Sequence, residues 1–392
     1  GDQQDETIIL KPPLVNIEAE HIQRGMAGLY CPYTTNSLLL FRSPEALLCV
    51  HGNFQSKCKE TNYRVDKNIY TPSILLCMVG AVCSGVKMNG TADLQSRRKG
   101  AILGMFIGDA LAMPVHWYYD RQALQRDYGH VTGYQAPRNP HPDSILWRSV
   151  YKVTKRAPDI LHDQRQYWGQ RGIHYHQFLE AGENTLNLKL CALLIDTIVE
   201  NGTYDSDAYL ERYIDFMVTP GRHQDTYVEE YHRHFFTNYA NGAPSRSCGV
   251  VEKHISGIIG MIPVLVYHFE DMERARRLAL QHLRLTHLGD RMATAGNLLI
   301  DILLPVLNGA SLKNVIVDKI KSQDNPLLGF PFFRWLEEPD ETVIGRRLSS
   351  ACYVEDALPA ILYLALKYHQ DAARGLIANT NVGGDNAGRG AV

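Results

Sequence analysis

Between Arg97 and Asp120 the chain reads RRKGAILGMFIGDALAMPVHWYYD, and this stretch constrains the fold more than any other. Ala101, Ile102, Leu103, Met105, Phe106 and Ile107 form an apolar run with glycines at 100, 104 and 108. Glycine at every fourth position puts a smooth strip on one face of a helix, where a second backbone can approach closely. Asp109 stands at the end of that strip, and Pro114 stops the helix. The residues alone leave two roles open for Asp109. It can bond its own turn, or it can face a substrate or a metal.

A net charge of -2 over 392 residues argues against binding nucleic acid or a membrane surface through bulk charge. No apolar run reaches the roughly 18 residues of a membrane-spanning helix. The chain opens on Gly1 and stops at Val392 within what reads as a helix start, so it is expected to be a fragment. Five of the eight cysteines, at 31, 49, 58, 77 and 83, fall before residue 90 without CxxC spacing or paired histidines, which disfavours zinc. Cys191 sits among apolar neighbours as a reduced core thiol, and Cys248 and Cys352 read the same way. Asn89-Gly90-Thr91 and Asn201-Gly202-Thr203 match the glycosylation acceptor pattern, one short enough to arise by chance. A cytoplasmic protein is expected.

Residues 1–87 carry no helical or alternating period, and the apolar stretch 73–86 is too short to span a bilayer. They are expected to be an unassigned extension, disordered or an artefact of gene prediction, ahead of a domain from Met88 to Val392. That domain reads as helical. Helices are expected at 121–128, 184–200, 205–218, 255–268, 271–285, 291–308 and 356–369, the fourth apolar nearly all round and therefore central. A Pro-, Gly- and Asn-rich loop over 130–151 reads as a functional rim anchored by Trp147 and Tyr151. Strand signals are scarce, which makes the domain all-α.

Four motifs occur in order: GDAL at 108–111, Gly182-Glu183-Asn184-Thr185 heading a buried helix, Thr286-His287, and Gly383-Gly384-Asp385. Together they resemble the ADP-ribosylglycohydrolase family, which includes the jellyfish J-crystallins, over about Thr91 to Val392. The resemblance implies an orthogonal multi-helix bundle with an ADP-ribose cleft at one end. Active members hydrolyse the bond between ADP-ribose and a side chain or related compound, with two magnesium ions in the cleft. The partner implied is thus ADP-ribose or an ADP-ribosylated compound or protein, with no nucleic acid and no membrane.

The metal motifs of the family are Thr-Asp-Asp-Thr and, after the double glycine, Asp-Thr-Asp-Thr. Here Gly182, Glu183, Asn184 and Thr185 stand at the first, and Asp385, Asn386, Ala387 and Gly388 at the second. His116 falls where many active members carry Glu. Of the acidic magnesium-ligand positions only Asp385 is identical and Glu183 conservative, while Asn184 keeps an oxygen without the charge, too little negative charge for two ions. The resemblance implies Glu183 and Asp109 as catalytic carboxylates, and His116, Asn184, Arg389, Gly383 and Gly384 lining the substrate. Arg389 can hold a pyrophosphate, or it can pair with Asp385 or Glu183 and join two helices. His223, Asp225, Glu229, His232 and His234 form a second polar cluster, read as solvated or loop-packing residues in preference to a metal set, since HExxH is absent. Two functions stand at this point: a hydrolase of ADP-ribosyl bonds, or an inactive binder or crystallin-type structural member.

Overall fold

The computed structural model describes residues 92–152 and 158–392. The expectations for 1–87, with the 87/88 boundary, lie outside these residues. Helix α1 runs Ala92–Ala112 and gives way to a 3-10 turn, Met113–Val115, where Pro114 removes a backbone donor. Asp120 accepts from the N–H groups of Gln122 and Ala123 and so starts α2, Arg121–Tyr128. A long excursion follows before α3, Leu186–Asn201, which ends on left-handed Gly202. Asp205 caps α4, Ser206–Val218, and α5 spans Glu230–Ala240.

The apolar segment 255–268 is expected as one helix but forms two, α6 Ser256–Ile259 and α7 Met261–His268. The break falls at Gly260, where a β-carbon would lie 2.3 Å from His282 Nε2. Next come α8 Met272–Arg284, α9 Asp290–Leu307 and α10 Leu312–Ser322, then α11 Val354–Lys367, α12 Ala372–Asn381 and α13 Asn386–Ala391. Short helical turns fill the interval between α10 and α11. The only sheet among the described residues is a two-residue parallel pair, β1 Val250–Val251 with β2 His287–Leu288. The domain is all-α, as expected.

One continuous core gathers Ile102 and Phe106 of α1, Leu190 to Ile195 of α3, most of α7, and Leu358, Leu362 and Tyr363 of α11. The glycine strip of α1 works at one point. A β-carbon on Gly108 would lie 2.0 Å from Gly390 O, so α1 and α13 touch backbone to backbone. Gly100 and Gly104 face open space instead. No described helix is long and apolar enough to cross a membrane.

Candidate functional site

The motif segments meet where the 3-10 turn after α1 abuts the loop before α13. Trp117 N donates to Gly384 O at 2.8 Å and Gly384 N to Tyr118 O at 2.6 Å, which sets His116 opposite Asp385. Gly383 and Gly384 both have positive φ, and β-carbons there would strike Tyr118 O and Ser350 O. Their contacts are with the chain itself. Arg389 likewise spends its guanidinium on Asn379 Oδ1 (3.1 Å), Ser350 O (2.9 Å) and Gly383 O, tying three backbone segments together without pairing with either carboxylate.

A linear chain of hydrogen bonds runs inward from Asp385. Its Oδ1 lies 2.7 Å from His116 Nε2, His116 Nδ1 lies 2.8 Å from His176 Nε2, and His176 Nδ1 bonds Asp225 Oδ1. All four side chains are buried. Burial pushes His116 down to about 4 despite Asp385, so His116 rests neutral, donating through Nε2 to Asp385 and accepting at Nδ1 from His176. Burial alone would raise both carboxylates. The His116 bond, with the charges of His254, His116 and Arg389, instead holds Asp385 at about 2. The charge and hydrogen bond of His176 lead in holding Asp225 below the usual range.

The excursion over 130–183 supplies the other half. His141 Nε2 bonds His116 O and His174 Nε2 bonds Pro114 O, both at 3.0 Å, so two neutral imidazoles hold the turn that presents His116. Burial keeps His141 at about 4 and His174 well below its ordinary value. Trp117 stacks on His116 and meets Tyr175 and Tyr227 edge-on. Trp147, expected as an anchor, is 40% exposed with the Arg171 guanidinium over its ring. Tyr151 is half-buried, its hydroxyl donating to Pro158 O.

Asp109 and the motif at 182–185 form a separate knot. Asp109 accepts from Thr185 N (2.8 Å), Thr185 Oγ1 (2.7 Å) and Asn184 Nδ2 (2.9 Å), and Asn184 Nδ2 also donates to Phe106 O. These bonds clamp the start of α3 to the end of α1. Burial pushes the Asp109 carboxyl up to about 6, in spite of those donors. Glu183 turns outward. Its Oε1 pairs with Lys189 Nζ at 2.7 Å, its Oε2 accepts from Glu180 N, and a third of its side chain is exposed. Among the described residues no three His, Cys, Asp or Glu side chains converge as a metal site.

Of the second cluster, His223, Asp225, Glu229 and His232 are buried, and His234 alone is solvated. The loop-packing alternative holds for His223, Asp225 and Glu229, because the loop ending at Glu229 runs inside, with Thr226 N and Tyr227 N donating to Tyr175 O, and His232 is buried on α5 with its Nδ1 2.6 Å from the Tyr213 hydroxyl. No local spacing singles out His176 or His254; the HYH run at 174–176 is the signal that could have found the first of them.

The ADP-ribosylglycohydrolase family model matches residues 90–392, and the chain belongs to that family. A solved structure described as an ADP-ribosylglycohydrolase-related protein complex has the same fold, with a TM-score of 0.51 at 19% identity. The match covers 77% of this chain and 86% of that one. A search of curated proteins found no match.

Proposed function

We propose that this chain is a family member without metal-dependent hydrolysis of ADP-ribosyl bonds, its cleft closed into a polar core of the crystallin-type, structural kind. The observation that carries the reading is the buried Asp385–His116–His176–Asp225 chain, which engages the one metal-motif aspartate retained after the double glycine. A magnesium ion needs about six oxygen ligands in near-octahedral array. Of the donors, Glu183 is engaged by Lys189 and a backbone N–H, and Asn184 turns its amide N–H to α1. Ala387 and Gly388 offer no side-chain oxygen, and Asp385 Oδ2 is the one carboxylate oxygen of the motifs left buried without a partner. This donor set does not fit a pair of divalent ions.

The rival reading, a metal-free hydrolase, draws on Glu183 alone, which stays partly open to solvent at the head of α3. Three free thiols among the described residues fit a reducing compartment such as the cytoplasm. Calorimetric titration of ADP-ribose into the full chain, with and without magnesium, tests the proposal together with an assay for ADP-ribose released from ADP-ribosylated arginine and serine peptides. We expect no magnesium-dependent heat and no release. Magnesium-dependent binding would overturn the reading, and release without metal that disappears in Glu183→Gln would establish its rival.

A further inference from the structure

A cavity of about 630 Å³ lies between α5 and residues 145–152, and no residue of the four sequence motifs lines it. Small-molecule sites occupy roughly 300–1,000 Å³, so the space is large enough for more than a simple ion. Two tyrosines give it an aromatic wall. The Tyr227 ring is packed by Trp168, stacked on it at 5.8 Å, and by Trp117 and Tyr175, both edge-on at 5.2 Å. Tyr151 is tied to Pro158 O through its hydroxyl at 2.9 Å. Both rings are therefore held in place before any ligand arrives.

Three cations line the same space, Arg148, Lys152 and Arg233. Arg233 is buried, yet its guanidinium donates only to neutral oxygens: Val228 O at 3.2 Å, Val150 O at 2.7 Å and the Tyr227 hydroxyl at 3.4 Å. Three of its five N–H groups are thus used, and its charge is not met by a carboxylate. Arg148 and Lys152 are exposed and pair with no Asp or Glu among the described residues. Other surface cations behave differently, since Arg212, Arg246 and Arg291 pair with Glu200, Asp207 and Glu355. The one carboxylate in the lining, Glu230, faces His234 a turn further along α5 at 3.6 Å. Three cations against one carboxylate leave a surplus of two positive charges in a concave site, where the field is focused.

We infer that this cavity binds a nucleoside monophosphate, its phosphate held by Arg148, Lys152 and Arg233 and its base laid against the tyrosine wall. A phosphate monoester carries close to two negative charges at pH 7, which matches the surplus. Planar guanidinium groups suit phosphate oxygens, and a buried guanidinium without a counter-charge gains most from an arriving anion. Inorganic phosphate would satisfy the charge but leave the aromatic wall uncovered. A base stacked on an aromatic side chain contributes about 1–3 kcal/mol, so the ring gives the larger ligand its advantage.

The inference is independent of whether ADP-ribosyl bonds are bound or cleaved in the cleft. Calorimetric titration of AMP into the full chain without magnesium tests it, with adenosine and inorganic phosphate titrated separately as the two halves of the ligand. AMP should bind about tenfold or more tighter than either half. Replacing Arg148→Ala and Lys152→Ala together should weaken AMP binding by about tenfold, and added salt should weaken it in the wild-type chain. Both side chains are exposed, so the double variant should keep the wild-type circular dichroism spectrum and melting temperature. Absence of AMP heat, or AMP binding no tighter than inorganic phosphate, would overturn the assignment. So would an AMP affinity unchanged in the double variant, which would place the nucleotide elsewhere on the molecule.

Discussion

Asp109 accepts three hydrogen bonds from Asn184 and Thr185 and yet holds its proton up to about 6, because burial outweighs those donors. In the unfolded chain the same carboxyl titrates at 3.8. Between those values the folded protein binds one proton more than the unfolded one, so stability falls as pH rises through the interval. Relative to Asp109→Asn, the wild-type protein should lose on the order of 3 kcal/mol between pH 4 and pH 7. Urea unfolding at several pH values checks this, and parallel curves for the two proteins would refute it. The motif residues Asp109, His116 and Asp385 could be found in the sequence because family resemblance marks them. The link through His176 could not: it pairs with Asp225, 49 residues away, a spacing that no local pattern encodes.

At the level of elements, the distinction between the glycines of α1 is open to experiment. Gly108→Ala places a methyl group against the Gly390 carbonyl, which neither helix can relieve without separating, and should cost about 3 kcal/mol or more. Gly100→Ala meets nothing within 4 Å in the same helix and should stabilise by about 0.5–1 kcal/mol. Thermal melts of the two variants should shift in opposite directions. The period of the glycines announced a close approach but could not say which of three positions makes it, since the partner backbone lies some 280 residues further along. The positions of α1 to α4, α8, α9 and α11 were readable from apolar spacing and caps such as Asp120 and Asp205, whereas α5, α10 and α12 were not anticipated. The division of 255–268 was not, because the ring that enforces it belongs to His282 of α8.

For the whole molecule, α13 is a short element with a large role. It lies fully buried from Asn386 to Ala391 and, among the described elements, packs more extensively on α1 than any other pair packs together. Deleting residues 386–392 should therefore abolish cooperative unfolding of the domain, where removing a surface helix of equal length would only lower its midpoint; calorimetry distinguishes the two. The all-α architecture was legible throughout, from the scarcity of alternating segments. The interior placement of His141, His174 and His176 was not, because they come from an irregular excursion without period.

The contact between Gly108 and Gly390 also bears on how the protein is made. A ribosome delivers α1 early and α13 about 280 residues later, so during most of synthesis the face of α1 beside Gly108 has no partner. Loop closure of that length is slow compared with local helix formation. Nascent chains would hold Ile102, Met105 and Phe106 in waiting, and dependence on chaperones should end only as residue 391 clears the exit tunnel.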